Sequence, residues 1–409
     1  MTAASRPAGH EDGPAGNHGA GPRVLLAVDK FKGCLRGREV AAHLREGILA
    51  ALPNARVRMH PVSDGGDGFA DELTAHGFTQ HRVAARDALG RPIVSSFAFG
   101  RGTAVVEMAQ ASGLQLIAPQ ERLPLQADTF GLGMVLQAAS LLGPDRIVVG
   151  AGGSATNDGG AGVLAALGAR LFREDGSELT TYGPAALTQV HRADLSGLSR
   201  WRGLDIQVAT DVTNPLLGPS GAAAIFGPQK GAGPAQVQLI ESALLNWADA
   251  LEAPGTESGR DRPGAGAAGG LGFGLCAGLG AEVVDGLNTF AALSGLAEAV
   301  AWADVVITGE GSLDSQTTSG KAPSGVLRYA TGARRPCWVV AGRSELTDEH
   351  VRALGYRGQR ALMDLAPDEQ ESLAQAPRWL RQVGAGLAAE FTEAAPRPQP
   401  LSAPPSAEA

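Results

Sequence analysis

The segment VLLAVD, Val24–Asp29, is an unbroken apolar run that ends on an acid. A strand that is apolar on both faces must be covered on both, which is the habit of a parallel strand in a sheet flanked by helices. The residues that follow supply the matching crossover. Gly37–Leu52 (GREVAAHLREGILAAL) carries Val40, Leu44, Ile48 and Leu52 at helical spacing, and ARVRMHPV, ending at Val62, is the next strand candidate. A β-α-β opening of this kind commits the chain to an α/β sheet with parallel neighbours.

The same alternation returns late. Ala303–Glu310 (ADVVITGE) has the character of a buried strand, GKAPSGVLRYA of a helix and Pro336–Gly342 (PCWVVAG) of another strand. Helical VRALG, strand-like ALMDL and a helix near Trp379–Ala389 follow. Between the blocks, roughly Ser63 to Leu287, the texture changes: RPIVSSFAFG and GTAVVEMA alternate as antiparallel strands do, and glycine-rich motifs are dense. The expected architecture is a parallel α/β domain built from residues 23–62 plus 288–391 and interrupted by an inserted mixed-sheet α/β domain, residues 63–287. The segments 1–22 and 392–409, rich in Gly, Pro, Ala and polar residues, are expected to be disordered tails.

Composition narrows the function. The 57 glycines show no Gly-X-Y period; they cluster between apolar stretches, as loops wrapped around a ligand do. A net charge of -8 offers no basic footprint for nucleic acid. Cys34, Cys276 and Cys337 are odd in number and far apart, which argues against a disulfide framework or zinc site and suits a reducing cytoplasm. There is no apolar signal core and no run of 18 apolar residues, so a cytoplasmic location without membrane contact is expected. Of 34 basic residues only four are lysines, and Lys30, Lys32, Lys230 and Lys321 all lie in glycine-rich segments. Lysine is a common phosphate partner, so this distribution points to anion binding.

Several motifs carry candidate chemistry. SDGGDG, Ser63–Gly68, follows the second strand candidate; Asp64 and Asp67 suit proton transfer or Mg²⁺ binding, although a tight turn uses the same residues. GAGGSATNDGGAG, Gly150–Gly162, joins the strand RIVVG to a helix. Such a junction makes an anion site from free N–H groups, here Gly152, Gly153, Ser154, Thr156 and Asn157, with Asp158 as base or metal ligand. DVTNPLLGPSGAAAIFGPQKGA brings Asp211 and Asn214 to the end of the strand DIQVAT, then Lys230. TGEGSLDSQTTSGKAP brings Glu310, Asp314 and Lys321 to the end of a parallel strand, the end at which α/β sheets bind ligands. The Walker pattern fails around Lys321. The fingerprint GxGxxG at Gly264, Gly266 and Gly269 has no strand before it. Phosphate-binding loops, lysines and carboxylates, with no catalytic histidine or cysteine, fit phosphoryl transfer assisted by Mg²⁺.

Taken in order, DKFKG, SDGGDG, EMAQASGL, GAGGSATNDGGAG, DVTNPLLGPSGAAAIFGPQKGA, PGAGAAGGLG and TGEGSLDSQTTSGKAP resemble the bacterial glycerate kinase family over Val24 to Leu365. Lys30 departs from the serine of many relatives, and Asp67 from their glutamate. The resemblance implies a flavodoxin-like domain interrupted by an inserted α/β domain, with a site between them. It also implies ATP-dependent phosphorylation of D-glycerate to the 2-phospho product. On this reading Asp64, Asp158 and Lys32 are catalytic. Lys30, Gly152, Gly153, Ser154, Thr156, Asn157, Asn214, Lys230 and Lys321 hold substrate or phosphate, and Asp67, Asp211, Glu310 and Asp314 contact the metal. A kinase for another small hydroxy acid, or a non-catalytic sensor on the same scaffold, are the alternatives.

Overall fold

A computed structural model describes residues 21–63, 65–66, 68–252, 258–314 and 322–394; the expected tails fall almost wholly outside this range. Thirteen strands are described: β1 Arg23–Val28, β2 Arg56–Met59, β3 Thr79–Arg86, β4 Pro92–Gly100, β5 Thr103–Glu107, β6 Arg146–Gly150, β7 Arg170–Phe172, β8 Arg192–Asp194, β9 Asp205–Ala209, β10 Glu282–Val284, β11 Val305–Leu313, β12 Cys337–Ser344 and β13 Gly358–Ala361.

Five of them form an all-parallel sheet in the order β13-β12-β11-β1-β2. Numbered by their sequence within this sheet, that order is 2-1-3-4-5, the flavodoxin-like arrangement. A second sheet, β10-β9-β6-β5-β4-β3, is mixed: β3, β4 and β5 pair antiparallel, whereas β5, β6, β9 and β10 run parallel. The remaining two strands make an antiparallel ribbon, β7-β8. All strands of the mixed sheet lie in sequence between β2 and β11.

The alternation of side chains along each strand distributes them among three cores. In β1, Val24, Leu26 and Val28 join the helices Gly37–Ala51 and Ala376–Ala394 on one face. Leu25 and Ala27 point the other way, into a core that also contains Ala98, Val105, Val148 and Ala209 of the mixed sheet. The two sheets therefore share an apolar layer, filled by Phe69, Leu73, Leu287 and Phe290 from short helices between them. The third core covers the far face of the mixed sheet and takes Ala104, Val106, Ile147 and Val149.

The helix after Gly160 ends at Leu167, earlier than GVLAALGARL suggests, because Gly168 breaks it and β7 follows. ALMDL is divided between the end of β13 and a single 3₁₀ turn, Leu362–Asp364.

Candidate functional site

The carboxyl ends of strands from both sheets open onto one cleft of about 660 Å³. From the parallel sheet, β1 delivers Asp29, Lys30 and Lys32, β11 delivers Glu310, and β12 delivers Arg343. From the mixed sheet, β6 delivers Gly152 and Gly153, and β9 delivers Thr210 and Asp211. Asp29 directly follows β1 and Glu310 stands on the adjacent strand β11, where the strand order reverses, the position at which open α/β sheets bind ligands. A second depression of about 440 Å³ continues beyond Asp29–Lys32, among Arg36, Arg38, Ser63 and Glu72.

Glycines on facing loops set the width of the cleft. The Gly152 N–H donates to the Gly65 carbonyl at 3.3 Å, and a methyl group added to Gly152 would lie 2.3 Å from the Gly66 Cα. Gly65 has φ +90° and so occupies the region that favours glycine. On the other flank, Leu114 donates its N–H to the Gly153 carbonyl at 2.8 Å.

Six of the residues expected at a site line this cleft: Lys30, Lys32, Gly152, Gly153, Asp211 and Glu310. Local bonds set their backbone. Asp29 donates its N–H to the Gly309 carbonyl at 2.8 Å, and its carboxylate accepts the Lys30 N–H at 2.7 Å. Asp211 Oδ1 accepts the Gly286 N–H at 3.3 Å. Asp64, Asp67 and Lys321 lie outside the described residues.

The rest of the Gly150–Gly162 motif, expected to face phosphate, turns inward. Ser154, Thr156, Asn157 and Asp158 are buried, and none of them lines the cleft. Asp158, expected as a base or metal ligand, lies buried in a network of hydrogen bonds. Its carboxylate accepts from the Thr129 N–H (2.8 Å), the Thr129 hydroxyl (2.7 Å) and the Gly162 N–H (3.0 Å). Burial, with Asp128 nearby, pushes it up to about 6, against the pull of those bonds. Lys230 is likewise interior: its Nζ donates to the Thr156 carbonyl at 2.6 Å and to Asn157 Oδ1 at 3.3 Å, and burial lowers it to about 7. Asn214 donates to the Ser220 carbonyl at 2.8 Å and shapes its own loop. Neither Asn214 nor Asp314 is part of the cleft wall.

Asp29, Thr210, Arg343 and Gln115 line the cleft and were not singled out from sequence. The first three follow β1, β9 or sit at the end of β12, so the carboxyl-end rule would have found them; Gln115 carries no such signal. Among the described residues no group of three or more His, Cys, Asp or Glu side chains forms a metal cluster. Mg²⁺ does not require one, because it is held by one or two carboxylates together with substrate phosphates. The oxygen donors Asp29, Asp211 and Glu310 on the cleft wall suit that mode.

Comparison with known proteins supplies independent findings. The model of the glycerate kinase family matches residues 24–392. The chain is 38% identical over 374 residues to a glycerate kinase of Bacillus subtilis, covering 90% of this chain and 97% of the relative. It is 40% identical over 332 residues to the glycerate 2-kinase of Escherichia coli, covering 80% and 86%. A crystal structure of a candidate glycerate kinase 2 from Salmonella typhimurium LT2 superposes with a TM-score of 0.78 at 34% identity, covering 91% of this chain and 99% of that one.

Proposed function

The chain belongs to the glycerate kinase family, and from that premise we propose that it phosphorylates D-glycerate with ATP and Mg²⁺ in the cleft between the two sheets, giving 2-phosphoglycerate. The observation that carries this reading is the convergence of Lys30 and Lys32 with Asp211 and Glu310 beside the Gly152–Gly153 backbone. Phosphoryl transfer is mostly positioning and charge neutralisation, and this set provides cations for anionic oxygens and carboxylates for a metal.

In this mechanism Lys30 and Lys32 neutralise phosphate and glycerate oxygens, and Lys321 adds a third cation. Asp211 and Glu310 would hold Mg²⁺, with Asp67 and Asp314 as the further members of the assigned set. Bound there, Mg²⁺ would supply positive charge to neutralise the phosphate oxygens. Asp64, whose neighbour Gly65 lines the cleft, removes the proton of the attacking hydroxyl. Asp158 and Lys230 support the loop from inside.

Incubation with ATP, Mg²⁺ and D-glycerate should release ADP in proportion to glycerate consumed, and ³¹P NMR of the product separates the 2- from the 3-phosphate. Turnover no higher than that of an Asp211→Asn variant would reject the reading. Faster turnover of lactate, tartronate or glycolate would move the activity to another hydroxy acid.

A further inference from the structure

Not all of the cleft wall is charged. One stretch of it is built by Phe31 and Cys34, from the turn after β1, and by Leu362, Met363, Leu373 and Ala376, from the chain after β13. The Cys34 thiol joins the two segments by donating to the Leu373 carbonyl at 3.6 Å. Leu373 is 53% exposed, although it is a large apolar side chain on the wall of a cavity. Strand register fixes how far this stretch stands from the carboxylates. Glu310 on β11 is level with Ala341 on β12 and Ala361 on β13. Leu362, the next residue, is therefore two strand spacings from Glu310, roughly 10 Å. Between them β12 presents Gly342, bare backbone on which an added methyl group would lie 2.6 Å from the Gly311 carbonyl oxygen.

An apolar stretch and a carboxylate-bearing stretch, two strand spacings apart across a bare floor, match a molecule with a flat ring at one end and phosphates at the other. Ser372 and Glu369 line the same apolar stretch and can accept hydrogen bonds from an amino group on such a ring. The adjoining depression has Arg36, Arg38, Asp71 and Glu72 on its wall, and desolvating those charges against an uncharged ring would be costly. We propose that the purine base of the phosphate donor lies against Phe31, Met363 and Leu373, with its sugar over Gly342 and its phosphates toward Glu310 and Lys32. The inference rests on the phosphorylation reading above, and it adds the subsite that selects a nucleotide over other polyphosphates.

The test uses the full-length protein. Leu373→Gln exchanges a half-exposed side chain for a polar one of similar size and helix propensity, so the fold should be kept. Its affinity for Mg·ADP should fall about tenfold, and its affinity for Mg·tripolyphosphate, which has no base, should stay within about twofold of wild type. An exposed control away from the cleft, Leu141→Gln, should change neither. Cys34 gives a second readout that needs no variant. Alkylation of wild-type Cys34 by iodoacetamide, followed by peptide mass, should slow about tenfold with Mg·ADP at ten times its Kd. Mg·tripolyphosphate should leave the rate unchanged. Unaltered ADP affinity in Leu373→Gln, equal losses for ADP and tripolyphosphate, or Cys34 alkylation indifferent to ADP would each overturn the proposal. Wild-type protein that binds ADP and protects Cys34 but phosphorylates no glycerate would instead reject the functional reading and leave the base pocket standing.

Discussion

The Lys230 ammonium donates to the main-chain carbonyl of Thr156 at 2.6 Å, across 74 residues of sequence and inside the protein. The bond ties the 3₁₀ turn Pro228–Lys230 to the middle of the glycine-rich loop. Trp247 adds a second tie, from its indole N–H to the Gly159 carbonyl at 2.9 Å. One end of the loop, Gly152–Gly153, is thus free to form the cleft wall, while its other half is fastened into the core. A wall made of glycine backbone keeps its shape only if something behind it is rigid, and these interior polar bonds supply that support.

Two aspartates should accordingly separate by readout. Asp158→Asn places an NH₂ among four N–H and O–H donors, so it should lose about 1–3 kcal/mol of stability and retain near-normal kcat per folded molecule. Asp211→Asn, at the cleft, should melt close to wild type and lose about 100-fold or more in kcat/KM. Thermal unfolding and steady-state kinetics on both variants check this. A large kcat loss for Asp158→Asn with unchanged melting would restore it as the base.

Stability should also fall in mild acid. His60 is buried beside His76, with ring centroids 4.2 Å apart, and its Nε2 lies 2.9 Å from the Ser294 hydroxyl. Burial, and then His76, lower it from 6.5 to about 3; burial, and then Arg101, lower His76 as well. Arg101 donates to the carbonyls of Leu293 and His76, so this cluster stands where short helices join the two sheets. Unfolded histidine takes up a proton that folded His60 refuses, so the stability is present above about pH 6.5 and is lost progressively as pH falls toward 3. The melting temperature should drop between about pH 7.5 and pH 5, and His60→Gln should flatten that slope. Parallel slopes for the two proteins would exclude His60 as the cause.

The fold was legible where strands are buried on both faces. β1, β6, β11 and β12 each contain a continuous buried apolar run. β3 was not legible: TQHRVAAR is a polar edge strand with mostly exposed or half-buried positions, so its pattern resembles a loop. The placement of Lys30, Lys32, Gly152, Gly153, Asp211 and Glu310 along the cleft follows the carboxyl-end rule. The burial of Asp158 was not legible, because an Asp at a glycine-rich helix entry looks the same whether it faces ligand or core, and its partner Thr129 is 29 residues away. The interior position of Lys230 was not legible for a related reason. Its absence from ordinary surface positions was informative, but burial satisfies that observation as well as phosphate binding does.

Closing the distance between the facing loops should fail. In Gly152→Ala the new methyl group meets backbone, the Gly66 Cα at 2.3 Å, so one loop must retreat from the cleft. The expected loss is about tenfold or more in kcat/KM. Gly102→Ala is a useful comparison: it has positive φ and meets the Asp145 carboxylate, yet lies in the β4–β5 turn and does not line the cleft. It should lower stability but spare kinetics. Equal kinetic effects in the two variants would show that the Gly152–Gly66 contact has no special role.

The last prediction concerns two glycines two residues apart in the helix Ala376–Ala394. Gly384 is buried against the helix Gly37–Ala51: an added methyl group would lie 2.4 Å from the Leu44 carbonyl oxygen, and the reciprocal contact places Gly47 against the Arg381 carbonyl. The two helices approach this closely only because neither carries a side chain at the crossing. Gly384→Ala should therefore force them apart and cost about 1–3 kcal/mol through overpacking. Gly386, two residues on, is exposed, has ordinary helical φ and meets nothing within 4 Å. Replacing it with alanine removes freedom from the unfolded chain and should add about 0.5–1 kcal/mol. Chemical denaturation of the two variants beside wild type gives opposite signs if the helices pack as described. A stabilising Gly384→Ala would mean that the crossing is looser than these contacts require.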